Sequence, residues 1–181
     1  MNRIAVPTLD TAPAASRPLL EAVNKQLGVI PNLMKMVGNS PAALEGYLAL
    51  NAAMGKGVLE VALREKIALA TAQANGCDYC LAAHSYLGKH VAKLSDADMR
   101  AARGARAADA RADAALRFAE RVIAERGHVS GADLAAARAA GFDDAAVVEI
   151  VLNVALNVLT NYVNNVAQTA IDFPAAEALA A

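Results

Sequence analysis

The sequence predicts an all-α protein, and three observations support this fold class. Hydrophobic residues make up 56% of the 181 residues but aromatic residues only 4%, and alanine dominates the composition. Alanine is the best helix former, whereas strands favour the β-branched and aromatic residues that form few runs here. No segment alternates polar and apolar residues, and glycine and proline lie where helices would end. A chain of this length fits one domain with a sizeable core.

The first part of the chain is predicted to be an extended arm followed by short helices. Residues 1 to about 18 contain three prolines and show no helical period, so we expect an arm there and a single all-α domain over residues 19–181. A short helix should end at Gly28, since glycine commonly follows a helix C-terminus. A second helical stretch should start with Pro31, and a third helix should have Ser40 as its N-cap.

The remaining helices are predicted from the same signals. One helix is expected to end at Asn75-Gly76, and the next helix should run from about Cys77 to Gly88 or slightly beyond. Both helices lie within a motif core of about residues 56–91. Further helices are predicted in the segments 94–104, which opens with a Ser95/Asp98 capping box, 109–127, 130–141 and about 143–171.

Charge and hydropathy argue against nucleic acid and membrane partners. The formal net charge is −1, so the chain lacks the basic surface that binds nucleic acid or anionic lipid. The N-terminus lacks the apolar stretch of a signal peptide. The most apolar segment, residues 149–171, carries five asparagines that a hydrocarbon environment would penalise. We therefore predict a soluble, cytoplasmic protein.

The two cysteines are the most informative residues. Cys77 and Cys80 are the only thiols, and two of the three histidines, His84 and His90, follow within ten residues. In a reducing compartment a disulfide this short stabilises little, because the loop it closes is small. Metal binding or redox chemistry therefore remains as the role of the pair.

Helical geometry groups three of these side chains. Positions three and four apart turn through about 300° and 400°, so Cys77, Cys80 and His84 share one helix face. A thiolate is the nucleophile, the imidazole can take its proton, and the second thiol can resolve an oxidised sulfur. The helix dipole favours Cys77 as the attacking thiol and the imidazole favours Cys80, so spacing alone leaves the choice open, with a slight preference for Cys80.

Glu65 is a candidate partner for His84. It emerges from an apolar face of the preceding helix, where a carboxylate needs a partner. The turn at Asn75-Gly76 could bring Glu65 beside His84. Lys66 has equally apolar neighbours, so helical position alone does not single out Glu65.

A polar stripe follows the last helix at intervals of three or four residues. Solvated faces favour Glu, Lys and Arg over asparagine, so this stripe should be semi-buried, either across a subunit contact or along the thiol pocket. Its members are Glu149, Asn153, Asn157, Asn161, Asn164 or Asn165, and Gln168.

Zinc is an alternative use of the motif. Cys77, Cys80 and His84 would be its ligands, but structural zinc usually joins two separated ligand clusters and the sequence has no second cluster. His90 and His128 are expected at the surface. We therefore predict no metal site.

The segment REKIALATAQANGCDYCLAAHS closely resembles the core of the alkylhydroperoxidase D-like proteins of the carboxymuconolactone decarboxylase superfamily. Their motif is a Glu, eleven residues, then Cys-x-x-Cys-x-x-x-His, and Glu65, Cys77, Cys80 and His84 match it without a gap. The flanks GVIPNLMKMVGNSPAALEGYLAL and LTNYVNNVAQTAIDFP resemble the peroxidase-related branch, so the resemblance spans nearly the whole chain. That branch often has Asn-His where this chain has Asn164-Asn165, which leaves substrate or reductant specificity open.

The resemblance implies a fold and a chemistry. It implies a multi-helix bundle with the CxxC at the N-terminal end of a core helix, assembled as a homo-oligomer, often a trimer or hexamer. It also implies that Cys80 attacks the peroxide, that Cys77 resolves, and that His84 and Glu65 form a proton relay. No cofactor is implied beyond a redox-active Cys77–Cys80 disulfide. An external dithiol protein would restore the thiols, and the family precedent for this reductant is a lipoyl-bearing protein.

The sequence therefore predicts a thiol-dependent peroxidase that acts on an organic hydroperoxide or hydrogen peroxide. A redox-responsive or scaffold protein that forms the same disulfide without turnover is the first alternative. A decarboxylase of the kind that names the superfamily is the second, and it would not depend on the CxxC pair.

Overall fold

The computed structural model describes residues 2–177, and within this range every regular element is helical, which confirms the all-α prediction. Within these residues a short 3₁₀ helix precedes nine α-helices. The elements are the 3₁₀ helix Ala14–Ser16, α1 Arg17–Leu27, α2 Asn32–Val37, α3 Pro41–Met54, α4 Val61–Ala74, α5 Asp78–His90, α6 Asp96–Arg103, α7 Ala110–Ala124, α8 Gly131–Ala139 and α9 Asp144–Ala167.

Helical structure begins inside the segment predicted to be an extended arm. The 3₁₀ helix starts at Ala14 and α1 at Arg17, because Pro18 lies in the first turn, where proline needs no hydrogen-bond partner. The arm before it contacts the rest of the chain, since the Arg3 amide donates to the carbonyl of Ala167 at 2.7 Å. Ser16 is fully buried and its hydroxyl donates to the Gly38 carbonyl at 2.7 Å.

Most helix ends agree with the capping residues read from the sequence. Gly28 ends α1 with a φ of 75°, a left-handed conformation that glycine adopts without steric cost. Ser40 caps α3, and the predicted Ser95/Asp98 capping box opens α6. Pro31 differs, because it lies at the N-cap of α2 rather than at its first helical position.

The last helix is shorter than predicted. It ends at Ala167 and not near Ile171, because Gln168 takes a left-handed conformation with a φ of 51°. The chain then returns toward α2 and α5. There the Asp172 carboxylate accepts hydrogen bonds from the Asn32 amide at 2.7 Å and from the Tyr79 hydroxyl at 2.8 Å. This return segment holds the start of α2 against α5.

The core surrounds α4, which contacts α5, α6, α7 and α9. The middle of α4 is buried on all sides, as expected for a central helix, and its many alanines let neighbouring helices approach closely. Ile67 and Leu69 are fully buried, and each such side chain contributes about 1.5–3 kcal/mol through its removal from water. The neighbours of α4 therefore hold fixed positions, and α5 and α9 pack against each other as well.

Helix α9 is long and apolar enough to cross a membrane by length and composition alone, with a mean hydropathy of 1.6 over its most apolar window. It packs against α3, α4, α5 and α7. Its buried positions include four asparagines, which hydrocarbon would not accommodate. This is the arrangement of a core helix in a soluble protein.

Candidate active site

The turn between α4 and α5 places the two cysteines. Asn75 and Gly76 end α4, and Gly76 has a φ of 59°. Cys77 is the N-cap of α5, and its sulfur accepts a hydrogen bond from the Cys80 amide at 3.3 Å. A thiol thus occupies the capping position that serine or aspartate usually takes. The sulfur of Cys77 is therefore directed at the first turn of α5, toward Cys80.

Cys80 lies in that first turn and is only 2% exposed. The amide nitrogen of Asn164, from α9, donates a hydrogen bond to its sulfur at 3.3 Å. The unpaired amides of the α5 N-terminus add a partial positive charge near this sulfur. Both cysteines are free thiols.

The two thiols have opposite electrostatic surroundings. A hydrogen bond from Cys77 lowers the pKa of Cys80 to about 6, with further help from the charge of His84 and the amides of Asn164 and Asn161, against the opposing effect of burial. The same interaction with Cys80, together with burial, raises the pKa of Cys77. Cys80 is therefore the thiolate at neutral pH, and Cys77 stays protonated.

His84 and Glu65 are brought together as predicted. The Nδ1 atom of His84 lies 2.8 Å from the Oε2 atom of Glu65, across the contact between α5 and α4. Burial opposes a charge on the imidazole, but the Glu65 carboxylate and Cys80 more than offset it, so the pKa of His84 is raised. Lys66 faces Asp98 at 3.7 Å instead. The structure thus selects Glu65 where helical position alone could not.

Tyr47 is a site residue that sequence reasoning missed. Burial, followed by the negative charges of Cys80 and Glu65, raises its pKa to about 12, so this half-buried side chain on α3 lies near both groups and keeps its hydroxyl proton. No spacing rule connects it to the motif, because α3 is a separate helix and a lone tyrosine on a helix usually indicates packing.

The asparagine stripe is buried within a single chain. Asn153, Asn157, Asn161 and Asn164 are each at most 5% exposed. The stripe therefore follows the thiol site, one of the two predicted locations, and its burial requires no subunit contact. Its ends differ, since Glu149 is half-buried and Gln168 is exposed.

Each of these amides has a distinct environment. Asn153 donates to the Arg64 carbonyl at 3.3 Å, and Asn157 donates to Asn153 and lies against His84. Asn164 reaches the Cys80 sulfur, whereas Asn165 donates to the Asn75 carbonyl at 3.0 Å. Asn165 thus supports the α4–α5 turn.

Tyr79, His90 and His128 are not directed at the thiols. Tyr79 is directed toward α2, where its hydroxyl accepts a hydrogen bond from the Leu33 amide at 3.1 Å. His90 and His128 are exposed, as predicted. A surface cavity of about 330 Å³ lies on another part of α5, between Tyr86, His90 and Arg103, and does not contain the cysteines. Within residues 2–177, no three His, Cys, Asp or Glu side chains form a group that could hold a metal ion.

Comparisons with known proteins identify a family model and solved structures that this chain resembles. The model of the carboxymuconolactone decarboxylase family matches residues 41–125. Among solved structures, the chain is similar to an alkylhydroperoxidase AhpD core, an uncharacterized peroxidase-related protein from Ralstonia eutropha JMP134. Identity is 28% over 94% of this chain and 92% of that chain, with a TM-score of 0.85.

Two more distant structures share the fold. A peroxidase-related protein from Silicibacter sp. TM1040 has 23% identity over 93% of this chain and 91% of that one, with a TM-score of 0.79. A cysteine-to-alanine variant of the debrominase Bmp8, in complex with 2,3,4-tribromopyrrole, has 19% identity over 88% of this chain and 86% of that one, with a TM-score of 0.74. A comparison with curated proteins finds no match. The fold thus occurs in proteins described with different activities.

Proposed function

We propose that this chain is a thiol-dependent peroxidase. Its residues 41–125 match the model of the carboxymuconolactone decarboxylase family, and its fold is that of an alkylhydroperoxidase D core. The observation that carries the proposal is the asymmetry of the two thiols. Cys80 has a lowered pKa and Cys77 a raised one, both through the interaction between the two side chains, and the Cys80 amide donates a hydrogen bond to the Cys77 sulfur. A stable thiolate beside a protonated thiol is what peroxide reduction followed by disulfide formation requires.

The first step is attack on the peroxide. The Cys80 thiolate attacks the terminal oxygen of R–O–OH, so an S–O bond forms, the O–O bond breaks and RO⁻ leaves. Cys80 becomes a sulfenic acid, and the two electrons that reduce the peroxide come from its sulfur. The imidazolium of His84 supplies the proton that converts RO⁻ to ROH.

Glu65 acts through His84. Its carboxylate accepts the Nδ1–H of the imidazole at 2.8 Å and stabilises the imidazolium form. That charge in turn stabilises the Cys80 thiolate. The pair thus serves two steps, because it keeps the nucleophile ionised before attack and holds the proton for the leaving group.

The second step closes the disulfide. The Cys77 thiol condenses with the Cys80 sulfenic acid, which forms the S–S bond and releases water. An external dithiol, such as a lipoyl-bearing protein, then reduces the disulfide and returns both thiols. We propose that this cycle takes place in the cytoplasm, in a homo-oligomer, and needs no haem, flavin or metal.

Steady-state turnover tests the proposal. Reduced protein should consume tert-butyl hydroperoxide with excess dihydrolipoamide over many cycles. Cys80→Ser should abolish the reaction, and Cys77→Ser should allow one turnover at most. Peroxide turnover that survives Cys80→Ser would overturn the proposal.

A redox-responsive protein is a second candidate, and the burial of both sulfurs favours it. Cys77 is 0% and Cys80 2% exposed, so a bulky reductant has little direct access to a disulfide formed there. A wild type that forms the disulfide once and then stalls with small and protein dithiols alike would support this candidate over the peroxidase.

A further inference from the structure

Two buried asparagines beside Cys80 carry polar groups without a hydrogen-bond partner. The Oδ1 atom of Asn164 and the Nδ2 atom of Asn161 are both buried, and neither makes a hydrogen bond of normal geometry with any residue from 2 to 177. An unsatisfied buried polar group costs about 1–3 kcal/mol. Two at one site, against the reactive sulfur, therefore need an explanation.

The orientation of both amides is fixed by their other contacts. Asn161 accepts a hydrogen bond from Asn75 through Oδ1, at 2.9 Å, so its NH₂ group faces the opposite way, on the side of Cys80. Asn164 donates to the Cys80 sulfur through Nδ2, which leaves its Oδ1 free. The Cys80 sulfur is thus flanked by the Nδ2 donor of Asn161, which helps to lower the pKa of Cys80 without a hydrogen bond of normal geometry, and by the unused Oδ1 acceptor of Asn164.

A donor and an acceptor side by side complement a hydroperoxide end group. The –O–O–H group carries one O–H donor and oxygens that accept hydrogen bonds, so it would satisfy both amides at once. A carboxylate or halide offers no hydrogen to Asn164. Cys80 is only 2% exposed, so the group that reaches its sulfur must be narrow, and a terminal –OOH is narrow.

We propose that Asn161 and Asn164 bind the O–O–H group of the peroxide substrate. Asn164 Oδ1 accepts its hydrogen, and Asn161 Nδ2 donates to its oxygen. This inference rests on the proposed peroxidase function and adds two binding residues to the four of the motif. The bound group lies against the Cys80 sulfur, where attack on the terminal oxygen releases the alkoxide that takes the His84 proton.

Asn75 is a positioning residue in this arrangement. Its side chain orients Asn161, and its carbonyl accepts a hydrogen bond from Asn165. The α4–α5 turn that positions the cysteines thereby also orients the Asn161 amide, which is the hydrogen-bond donor of the peroxide site. The amide at position 165 thus has a supporting role in the site without contact to the sulfur.

The test compares two reactions of the same thiolate. At pH 8.5, where Cys80 is ionised, the rate of reaction with tert-butyl hydroperoxide is divided by the rate of alkylation with iodoacetamide. Alkylation needs the thiolate but no peroxide site, so the ratio isolates peroxide binding. Asn161→Leu and Asn164→Leu should lower this ratio by about 10²- to 10³-fold, the range seen when one preorganised hydrogen-bonding group is removed from a site.

Thr160→Val is the matched control. Thr160 is buried on α9 next to Asn161, but its hydroxyl donates to the carbonyl of Asn157 at 3.0 Å and makes no hydrogen bond to Cys80. This isosteric change removes a buried polar group and should leave the ratio unchanged. If a Leu variant does not fold, as judged by circular dichroism, Asn161→Asp keeps the shape and removes the donor, and it should show the same loss.

The outcomes separate this inference from the proposed function. If wild type reacts with the peroxide and the asparagine variants have the same ratio of peroxide rate to alkylation rate as wild type, the inference is overturned. The two amides then bind only the thiolate or a water molecule. If wild type is alkylated but does not react with the peroxide, the peroxidase proposal fails and the inference fails with it. A lower ratio in the asparagine variants alone supports both.

Discussion

At the scale of single residues, two sulfur atoms with the same chemistry have different ionisation states. Cys77 is the N-cap of α5 and Cys80 lies one turn further on, so Cys77 hydrogen-bonds Cys80 while His84 and Asn164 act on Cys80 alone. Neither the dipole argument nor the imidazole argument chose between them from spacing. The structure does, because the first turn of α5 faces α9 and its amides.

The role of Cys77 as hydrogen-bond donor gives a pH prediction. The rate of Cys80 alkylation should rise with pH through an inflection near 6 in wild type, because its pKa is lowered to about 6. Cys77→Ser keeps a donor and should retain this inflection. Cys77→Ala removes the hydrogen-bond donor. Since a hydrogen bond to a charged group contributes about 1.5–3 kcal/mol, the inflection should move up by about one to two pH units. Equal inflections in the Ser and Ala variants would show that Cys77 does not stabilise the thiolate.

Removal of the Glu65 charge should lower the pKa of His84. Burial is the largest influence on this imidazole and acts against its charged form, and Glu65 is the first of the groups that offset it. In Glu65→Gln, burial then dominates and the pKa should fall below its usual value of about 6.5. Titration of the ring protons by NMR measures this directly.

The same change should slow the reaction with peroxide. A neutral His84 neither stabilises the thiolate nor protonates the alkoxide, so the second-order rate at pH 7 should fall on the order of 10²-fold. Lys66→Gln is the matched control, since Lys66 faces Asp98 and should leave the rate unchanged. An unshifted His84 pKa in Glu65→Gln would contradict the relay.

At the scale of elements, α9 is joined to the start of α4 by a carboxylate. Glu149 accepts hydrogen bonds from the backbone amides of Val58 and Leu59, at 2.8 Å and 3.1 Å. The carboxylate lies directly against Gly57, in the space a Cβ atom would occupy. This contact fixes the loop that leads into α4 and therefore the position of Glu65.

Two glycine substitutions should have opposite effects on stability. Gly57→Ala would displace the Glu149 carboxylate and should lower the free energy of unfolding by about 1–3 kcal/mol. Gly46 lies within α3 with open space around its Cα, so Gly46→Ala should raise the free energy of unfolding by about 0.5–1 kcal/mol. Urea denaturation of both variants checks this. A Gly57→Ala variant as stable as wild type would show that the loop moves without cost.

Sequence reasoning predicted the elements better than their contacts. Helix starts at Ser40 and Ser95 follow from local capping, which depends on neighbouring residues alone. The end of α9 was wrong by four residues, because Gln168 adopts a left-handed conformation that its residue type does not favour. Tyr47 could not be predicted, since its place depends on how α3 packs against the others.

At the scale of the whole molecule, the buried side of α9 serves the thiol site and its opposite side is exposed and apolar. Val148, Leu159, Tyr162 and Val166 are between 47% and 63% exposed. Together with the exposed Val151 and Ala155, they follow one another at intervals of three or four residues and make a continuous apolar stripe, which monomeric proteins rarely leave in water. We propose that a second copy of this chain covers it.

Disruption of this stripe should change the oligomeric state. Wild type should elute as a homo-oligomer, a trimer or hexamer, in size-exclusion chromatography with light scattering. Tyr162→Arg should give smaller species, because a charge would be buried without a partner. Tyr86→Arg, on the exposed side of α5, is the control and should leave the mass unchanged. A monomeric wild type would contradict the proposal.

The central claim is that the sulfur of Cys80 attacks the peroxide. The most direct measurement treats the reduced Cys77→Ser protein with one equivalent of tert-butyl hydroperoxide in the presence of dimedone, which traps sulfenic acids, and locates the adduct by mass spectrometry. We predict one adduct, on Cys80, and none on Cys77 in the Cys80→Ser protein. An adduct on Cys77, or none on Cys80 while iodoacetamide still labels it, would contradict the account.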